Sequence, residues 1–380
     1  MMHYNTAINT KGHSMAFSKE KRKGTISGIV FVALVAAAAT YIAELAPIAK
    51  LGISPLVVGI VIGIFYANTL HNNFPSEWES GITFSGKKIL RFAIVFYGFR
   101  ITFQQISEVG MQGFMVSLLM LSSTMLLGIW LGQKIFKMDR DTSILNAAGA
   151  SVCGAAAVLA TEPVLKAEEH KTAIAVSMVV LFGTISMFLY PVLYAAIIEP
   201  ATGIMHMSPS TFGMYVGGTI HEVAQVVAVP ASVPGADQAM ANTAVIVKMT
   251  RVIMIAPMLI VLGLILSYSA KRAGGDAGQL KLVIPWFAVY FVGMAGINSL
   301  IHNYTATAPE DIAAMIQVAI TDINIIDTFL LTMAMTALGM GTRFAKFKGL
   351  GLAPIYTAGG MFLWLVVGGF FITQWVVATF

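Results

Sequence analysis

Residues 217–229 read GGTIHEVAQVVAV, and this stretch decides the fold. It places His221 and Glu222 side by side in an apolar segment, directly after Gly217 and Gly218. A helix can break at paired glycines at little steric cost, whereas a polar pair that faced lipid would be costly. The stretch therefore predicts a helix that is interrupted at a protected place, with His221 and Glu222 at the break.

A second segment of the chain is similar to this one. The letters GASVCGAAAVLA at 149–160 align with it through shared glycine, alanine and valine positions. The segments that follow also match, as TAIAVSM at 172–178 and TAVIVKM at 243–249. Apolar segments rich in alanine, valine and glycine can align with each other by chance. The shared Thr-Ala and Met positions favour a duplication, with repeats at 149–185 and 217–256.

The composition is that of a polytopic membrane protein. Of the 380 residues, 57% are hydrophobic and 11% are charged, and the mean hydropathy is +0.80. A soluble domain carries about 25% charged residues. The net charge of +5 is explained by basic cytoplasmic loops, so we expect no nucleic-acid partner. The single cysteine, Cys153, excludes an internal disulfide and a cysteine-cluster metal site, and we expect no cofactor.

Nine apolar runs of about 20 residues predict membrane spans, because such helices can cross a ~30 Å hydrocarbon core. They lie at 25–45, 53–70, 89–106, 111–133, 172–197, 243–270, 283–301, 323–341 and 352–378. Two further segments, 143–165 and 209–230, are rich in small and polar residues. The pair Gly59 and Gly63 predicts a close contact between two helices.

Lysine and arginine are concentrated in alternate connections. The positive-inside rule therefore places the N-terminus, with the basic tail 1–24, in the cytoplasm and the C-terminus outside. If 143–165 and 209–230 cross fully, the chain has eleven spans; if both are re-entrant, it has nine spans and two hairpins, which fits the charges better. Residues 25–380 then form a single all-α polytopic membrane domain. Inverted repeats with broken or re-entrant helices are typical of secondary transporters.

Ionisable residues inside a span are candidates for function because their burial is costly. They are Arg100, His221, Glu222, Lys248, Arg251 and Asp327. Lys248 and Arg251, three residues apart on one helix face, could bind an anion or neutralise the two carboxylates. His221 could carry a proton near neutral pH or act as a structural hydrogen-bond donor. Glu222, in a first helical turn, also suits the helix dipole.

The half-helices after each break would present unpaired N–H groups and a positive dipole end, which together form an anion-binding arrangement. We therefore predict that the substrate-binding residues lie at the breaks and on the helix after the second break. These residues are Asn146, Ser151, Cys153, Gly154, Gly217, Gly218, Thr219, His221, Glu222, Lys248 and Arg251. For Cys153, a small packing residue is the alternative interpretation.

Four stretches carry a resemblance to a known family: ISPLVVGIVIGIFYAN, NAAGASVCGAAAVLATEPVLKA, GGTIHEVAQVVAV and VKMTRVIMIAP. With these, the chain resembles the YeiH-type family of bacterial inner-membrane proteins over nearly its whole length from about residue 25. Members are commonly labelled sulfate exporters, and the family looks distantly related to transporters with inverted repeats. The family's marked positions fall on the predicted site residues other than Gly217 and Gly218.

These observations predict a secondary transporter of a small anion in the bacterial inner membrane, such as sulfate or a related oxyanion. Proton coupling and a homo-oligomer are left open. The alternatives are a passive anion channel and an intramembrane enzyme that uses His221 and Glu222 as base and acid. The enzyme is disfavoured because the chain lacks an HExxH or GxSxG pattern. We therefore predict no enzymatic activity.

Overall fold

The computed structural model describes residues 22–49, 54–272, 285–347 and 351–380, and all regular secondary structure in these ranges is helical. Residues 1–21 of the predicted basic tail 1–24 lie outside the described residues. The helices that build the fold are α1 Arg22–Glu44, α2 Pro55–Asn73, α3 79–100, α4 Phe103–Ile135, α5 Arg140–Ser151, α6 Ala155–Leu165, α7 Glu169–Ile198, α8 Pro209–Thr219, α9 Val223–Ala228, α10 Gln238–Ile253, α11 Ile255–Arg272, α12 Trp286–Thr305, α13 Glu310–Gly341 and α14 Leu352–Thr379.

Within the described ranges, seven helical segments are long and apolar enough to cross a membrane. Six of them are α1, α2, α4, α7, α13 and α14, and the seventh is formed by α10 and α11 in succession. Two predicted spans, 89–106 and 283–301, fall mainly on α3 and α12, which are helical but outside this set; residues 283–284 lie outside the described residues. Helix α3 carries several charged residues, which lower its hydropathy. The described part of the chain is thus all-α, with several candidate membrane helices.

The helices form two bundles. The scaffold bundle consists of α1, α2, α3, α12 and α13, and the hairpin bundle consists of α4 to α11 and α14. Contacts are dense within each bundle and sparse between them. In the scaffold bundle, the pair Gly59 and Gly63 packs directly against α13 at Thr336 and Gly339, so the predicted close helix contact is confirmed. A larger side chain at Gly63 would collide with the backbone of α13.

The chain passes from the scaffold bundle to the hairpin bundle at the extended residues 101–102. An interrupted helix leaves backbone groups without partners, and here side chains of α12 satisfy them. Asn298 Nδ2 donates to the Ile101 carbonyl at 3.0 Å, and Ser299 Oγ accepts from Phe103 N at 2.7 Å. The predicted boundary between the spans 89–106 and 111–133 is therefore wrong, because α3 ends at Arg100 and α4 begins at Phe103.

Helices α5 and α6 form hairpin 1, because the chain doubles back between them. The starts of α5 and α7 lie side by side, with Asp139 Oδ1 and Lys171 Nζ 3.2 Å apart. Nearer the break, Gly149 of α5 packs against both Val158 of α6 and Val179 of α7. Helices α5 and α7 therefore run in the same direction, and α6 returns between them to the end where α5 began.

The mouth of hairpin 1 is held by a small polar cluster. Asp139 caps α5 by accepting from Thr142 N at 3.1 Å, and Lys171 also approaches Asp141 and Glu168. Burial raises the pKa of Asp139, but the hydrogen bonds from Thr142 and Lys171 outweigh it and leave this pKa below its ordinary value. The stabilisation that the Asp139 carboxylate provides is therefore present above its ordinary pKa and is lost as the pH falls through the lowered one.

Helices α8 and α9 form hairpin 2 in the same way, with α10 as the parallel neighbour. Ser210 Oγ of α8 lies 3.4 Å from Thr243 Oγ1 of α10, and Gly213 packs against α10 near Met240. At the other end of the contact, Arg251 of α10 reaches the Gly218 carbonyl at the end of α8. Helix α9 therefore returns to the end of the molecule where α8 began.

The two hairpins approach one another from opposite ends of α7. Hairpin 1 opens beside the start of α7, and α8 follows the end of α7 after a short connection. Their tips meet beside the middle of α7, where Gly183 packs against Gln225 and Tyr190 Oη donates to Thr219 Oγ1 at 2.9 Å. This geometry brings the two predicted helix breaks together in the interior of the hairpin bundle.

Candidate functional site

Each hairpin turns at a three-residue break that the sequence dictates. In hairpin 1 the turn needs Gly154, whose φ of +73° is unfavourable for residues with a side chain. A Cβ at this position would also lie 2.6 Å from Glu222 Oε1. In hairpin 2, Ile220 and Glu222 are extended, and the chain re-enters a helix at Val223. The break predicted between Gly149 and Gly154 therefore falls at 152–154, and the break predicted at Gly217 and Gly218 falls just after them, at 220–222.

Lys248 joins the two breaks. Its ammonium is fully buried and donates to three carbonyl oxygens: Val152 at 2.8 Å, Ile220 at 2.7 Å and His221 at 2.7 Å. An ammonium has three N–H donors and no acceptor, so three carbonyl partners match its protonated form. Every donor of Lys248 is thus used to hold one hairpin tip against the other.

Arg251 makes a second bridge, one helical turn further along α10. Its fully buried guanidinium donates through Nη1 to the Gly218 carbonyl at 2.5 Å, and through Nη2 to Ser151 at 2.5 Å and Ala150 at 3.3 Å. These carbonyls lie at the C-terminal ends of α5 and α8, where the helix dipole favours a cation. Arg251 Nε is buried without a hydrogen-bond partner in the described chain.

The side chain of Glu222 extends from hairpin 2 to hairpin 1. Its Oε1 accepts from Ala155 N at 3.0 Å, so its carboxylate occupies the N-terminus of α6. The sequence predicted Glu222 at the start of its own helix, and Glu222 is the N-cap residue of α9; its carboxylate also contacts the other hairpin. Among the described residues, neither Lys248 nor Arg251 forms a salt bridge with Glu222 or Asp327. The two cations instead neutralise carbonyl dipoles.

Gln225 is a polar residue of the tip cluster that sequence reasoning missed. It is fully buried, and its Oε1 accepts from Glu222 N at 3.1 Å. Its Nε2 is buried without a hydrogen-bond partner in the described ranges, and so is Nδ1 of His221. A buried glutamine in an apolar helix is costly unless it is paired. A glutamine in an otherwise apolar run is visible in GGTIHEVAQVVAV, and this feature could have identified Gln225.

The other predicted site residues lie at varying distances from this cluster. Ser151 contributes its carbonyl to Arg251, and Thr219 donates to the Tyr215 carbonyl at 2.6 Å on the side that faces α7. Asn146 points away from the tips and donates to the Pro354 carbonyl at 3.3 Å. Gly217 serves as a packing contact against α10 at Ala244. The structure therefore places Asn146 and Gly217 in helix contacts.

Two adjoining cavities lead to the tips from between the bundles. The smaller, of about 90 Å³, reaches Cys153 and Glu222 and has Lys87 and Arg91 in its wall. The larger, of about 450 Å³, shares Cys153 and Arg91 and is otherwise mainly apolar and aromatic. Cys153 is buried and free, so it lines a path to the site as well as packing at the break. Across the described residues, no group of three His, Cys, Asp or Glu side chains could hold a metal ion.

Replacing Gly154 with alanine is expected to destabilise the hairpin tip. The new methyl group would require an unfavourable φ and would collide with the Glu222 carboxylate. We expect a loss of about 1–3 kcal/mol in the free energy of unfolding, measured by thermal or denaturant unfolding of the purified protein. Gly203→Ala is the matched control, because Gly203 has a φ of +64° but open space around it. Equal losses in both variants would show that contact with Glu222 does not matter.

An all-helical membrane protein with two interlocked helical hairpins is the class that the fold and this cluster define. The model of a family described as "Conserved hypothetical protein 698" matches residues 27–358. The chain is 46% identical over 352 residues to a UPF0324 membrane protein of Pseudomonas putida, covering 92% of this chain and 93% of the relative.

Further relatives agree. Identity is 41% over 356 residues to a UPF0324 membrane protein of Bacteroides thetaiotaomicron, covering 92% of this chain and 98% of the relative. It is 41% over 346 residues to the UPF0324 inner membrane protein YeiH of Escherichia coli, covering 90% and 92%. The chain belongs to this YeiH-type family of membrane proteins, so the predicted family is confirmed.

Proposed function

We propose that this protein is a secondary transporter that moves a small anion across the bacterial inner membrane. One observation carries the proposal: two fully buried cations, Lys248 and Arg251, join two broken helices whose tips meet in the interior of the protein. Non-helical backbone at membrane depth is tolerated where it is buried in protein or lines a cavity, and transporters place such breaks around their substrates. No enzymatic activity is part of this proposal.

The hairpins are re-entrant and inverted with respect to each other in this proposal. Their mouths lie at opposite ends of α7, whose 30 residues are enough to cross a membrane. The repeats 149–185 and 217–256 then each begin at the tip of a hairpin and contain its second arm and all or part of the helix that follows. Nine spans and two hairpins place the N-terminus in the cytoplasm and the C-terminus outside, in agreement with the positive-inside rule.

The charge of the tip cluster favours an anion. Lys248 and Arg251 supply two positive charges, and the C-terminal ends of α5 and α8 offset roughly half a charge each. The N-terminal ends of α6 and α9 add roughly the same amounts of positive charge. Glu222, the acid in contact with this cluster, subtracts one charge. The net charge of the cluster is therefore roughly one positive charge. A bound anion would neutralise it and could accept from the unpaired N–H groups of Arg251 and Gln225.

Glu222 serves as a gate in this mechanism. Its carboxylate occupies the N-terminus of α6, which is a binding position for an anion. An incoming anion would displace Glu222, and a neutral, protonated Glu222 would leave this position more readily. The cavities beside Cys153 give access from the side of Lys87 and Arg91, and movement of one bundle against the other would expose the cluster to the opposite side. His221 would assist as a hydrogen-bond donor or proton carrier.

Counterflow into proteoliposomes that contain the purified protein tests the proposal. Vesicles are loaded with unlabelled sulfate, and uptake of labelled sulfate is followed, with chloride and an organic sulfonate as competing anions. We expect saturable uptake that depends on the internal anion. Uptake that follows the gradient alone, without exchange, would identify a passive channel. No flux with any of these anions would contradict the proposal.

A further inference from the structure

An ion pair between a partly exposed arginine and a buried aspartate lies in the scaffold bundle, apart from the tip cluster. The side chain of Asp327, on α13, is completely buried, and its Oδ2 is 3.3 Å from Nη2 of Arg100 at the end of α3. Nε of the same guanidinium lies 3.4 Å from that oxygen. An acid and a base inside a membrane protein are costly to bury and are candidates for function. The mechanism above uses neither residue.

Arg100 is held in place independently of Asp327. Its Nη2 donates to the Asn324 carbonyl at 2.6 Å and to Thr328 Oγ1 at 2.8 Å, both on α13. The guanidinium also lies over the ring of Tyr97, with 5.2 Å from its central carbon to the ring centroid. Arg100 would therefore keep its position if Asp327 lost its charge.

Asp327 is incompletely paired. Its second oxygen, Oδ1, is buried and has no hydrogen-bond partner in the described part of the chain. A buried carboxylate with a free oxygen is costly, and uptake of one proton removes the charge that causes this cost. The surroundings of Asp327 thus favour reversible protonation.

Arg100 also faces a cavity of about 250 Å³ between the two bundles. Tyr97 and Thr328 line it from the scaffold bundle, and Asp237 and Gln238 line it from the start of α10. The carboxylate of Asp237 is engaged as the cap of α10, accepting from Met240 N at 2.8 Å. Arg100 is the cation in the wall of this cavity, which lies at the same end of the fold as the mouth of hairpin 2.

We propose that Arg100 and Asp327 form a second anion site, which binds a small inorganic anion together with one proton. The proton adds to the free oxygen of Asp327, and Arg100 exchanges its carboxylate partner for an anion in the cavity. The pair is neutral before this step, and the site is again neutral when a proton and a monovalent anion have bound. This inference rests on the proposed transport function and extends it, because the second site supplies the proton that such transport would use.

The charges that face this site set the expected pH dependence. Arg100 contributes a positive charge from α3, Asp327 and Asp237 contribute carboxylates from α13 and α10, and Tyr97 contributes a phenol. Asp237 keeps its backbone cap and opposes anion binding in either state. Protonation of Asp327 is therefore the event that opens the site, and anion binding becomes stronger as the pH falls.

Chloride binding to the purified full-length protein tests this inference, measured as thermal stabilisation from about pH 8 to about pH 5. In the wild type, we expect apparent affinity to rise by up to about tenfold per pH unit as Asp327 takes up its proton. In Asp327→Asn, we expect strong binding at every pH, because Arg100 is permanently released. Asp322→Asn, an exposed acid on the same helix, should behave like the wild type.

Further variants separate this site from the transport proposal. Arg100→Gln should lower the chloride response at every pH to the part that the tip cluster provides, and Arg100→Lys, which keeps the charge, should retain more of the response and so control for folding. A chloride response in Arg100→Gln that equals that of the wild type, or an unchanged pH dependence in Asp327→Asn, would overturn the inference. If the proteoliposomes show no anion flux but these binding results hold, the transport proposal alone fails.

Discussion

Replacing Lys248 with methionine is expected to destabilise the protein severely, although methionine is apolar and similar in length. The three carbonyl oxygens of Val152, Ile220 and His221 would lose their shared donor inside the protein. A buried polar group without a partner costs about 1–3 kcal/mol, so we expect a loss of about 3 kcal/mol or more in the free energy of unfolding. Thermal unfolding of the purified protein measures this loss.

The control for this change is Lys134→Met, at the exposed end of α4, where the lysine is solvated. We expect this substitution to change the stability by less than about 0.5 kcal/mol. If Lys248→Met is as stable as the control, the three carbonyls are satisfied in another way. In that case Lys248 does not hold the tips together.

Replacing Arg251 with glutamine is expected to reduce anion transport strongly in a protein that still folds and inserts into the membrane. The guanidinium bridges Gly218 of hairpin 2 with Ser151 and Ala150 of hairpin 1, and it carries one of the two positive charges at the tips. Charge-assisted hydrogen bonds contribute about 1.5–3 kcal/mol each, so we expect anion flux to fall at least about tenfold. The proteoliposome assay compares this flux with that of the wild type.

Arg251→Lys tests the geometry of the bridge separately from its charge. A lysine ammonium is a compact point charge and cannot reproduce the planar fork of donors, so we expect flux to remain strongly reduced. Elution as a single species in size-exclusion chromatography shows whether each variant is folded. Wild-type flux in both folded variants would remove Arg251 from the transport mechanism.

The sequence predicted the positions of the breaks well. Gly154 and Gly218 mark them because glycine tolerates a break, and at the second break His221 and Glu222 follow in an apolar segment. The sequence also placed Lys248 and Arg251 on one face of a helix, and the structure shows both side chains directed at the tips. These predictions succeeded because periodicity and burial cost are local properties of the chain.

The partners of these residues could not be predicted. Lys248 and Arg251 bind backbone carbonyls, which have no signature in the sequence. Glu222 contacts Ala155 of the other hairpin, a contact that depends on how the two hairpins pack. The pairing of Arg100 with Asp327 joins α3 to α13 across more than 200 residues of sequence, and hydropathy carries no information about such long-range contacts.

The division into two bundles was not predictable either. Spans 89–106 and 283–301 have the length of ordinary membrane helices, and nothing in their hydropathy assigns them to the scaffold bundle. The assignment follows from close packing at glycines, such as Gly98 against Phe291, and from the side chains of Asn298 and Ser299 at the 101–102 junction. Such complementarity becomes visible only in three dimensions.

Labelling of two single cysteines in intact cells tests most directly whether the hairpins open to opposite faces of the membrane. In a Cys153→Ala background, one cysteine replaces Glu168 at the mouth of hairpin 1, and another replaces the exposed Met205 before hairpin 2. We expect a membrane-impermeant thiol reagent to label the cysteine at 205, and the cysteine at 168 to react only after the membrane is opened. Labelling of the cysteine at 168 in intact cells would contradict the opposed hairpins and the anion site at their tips.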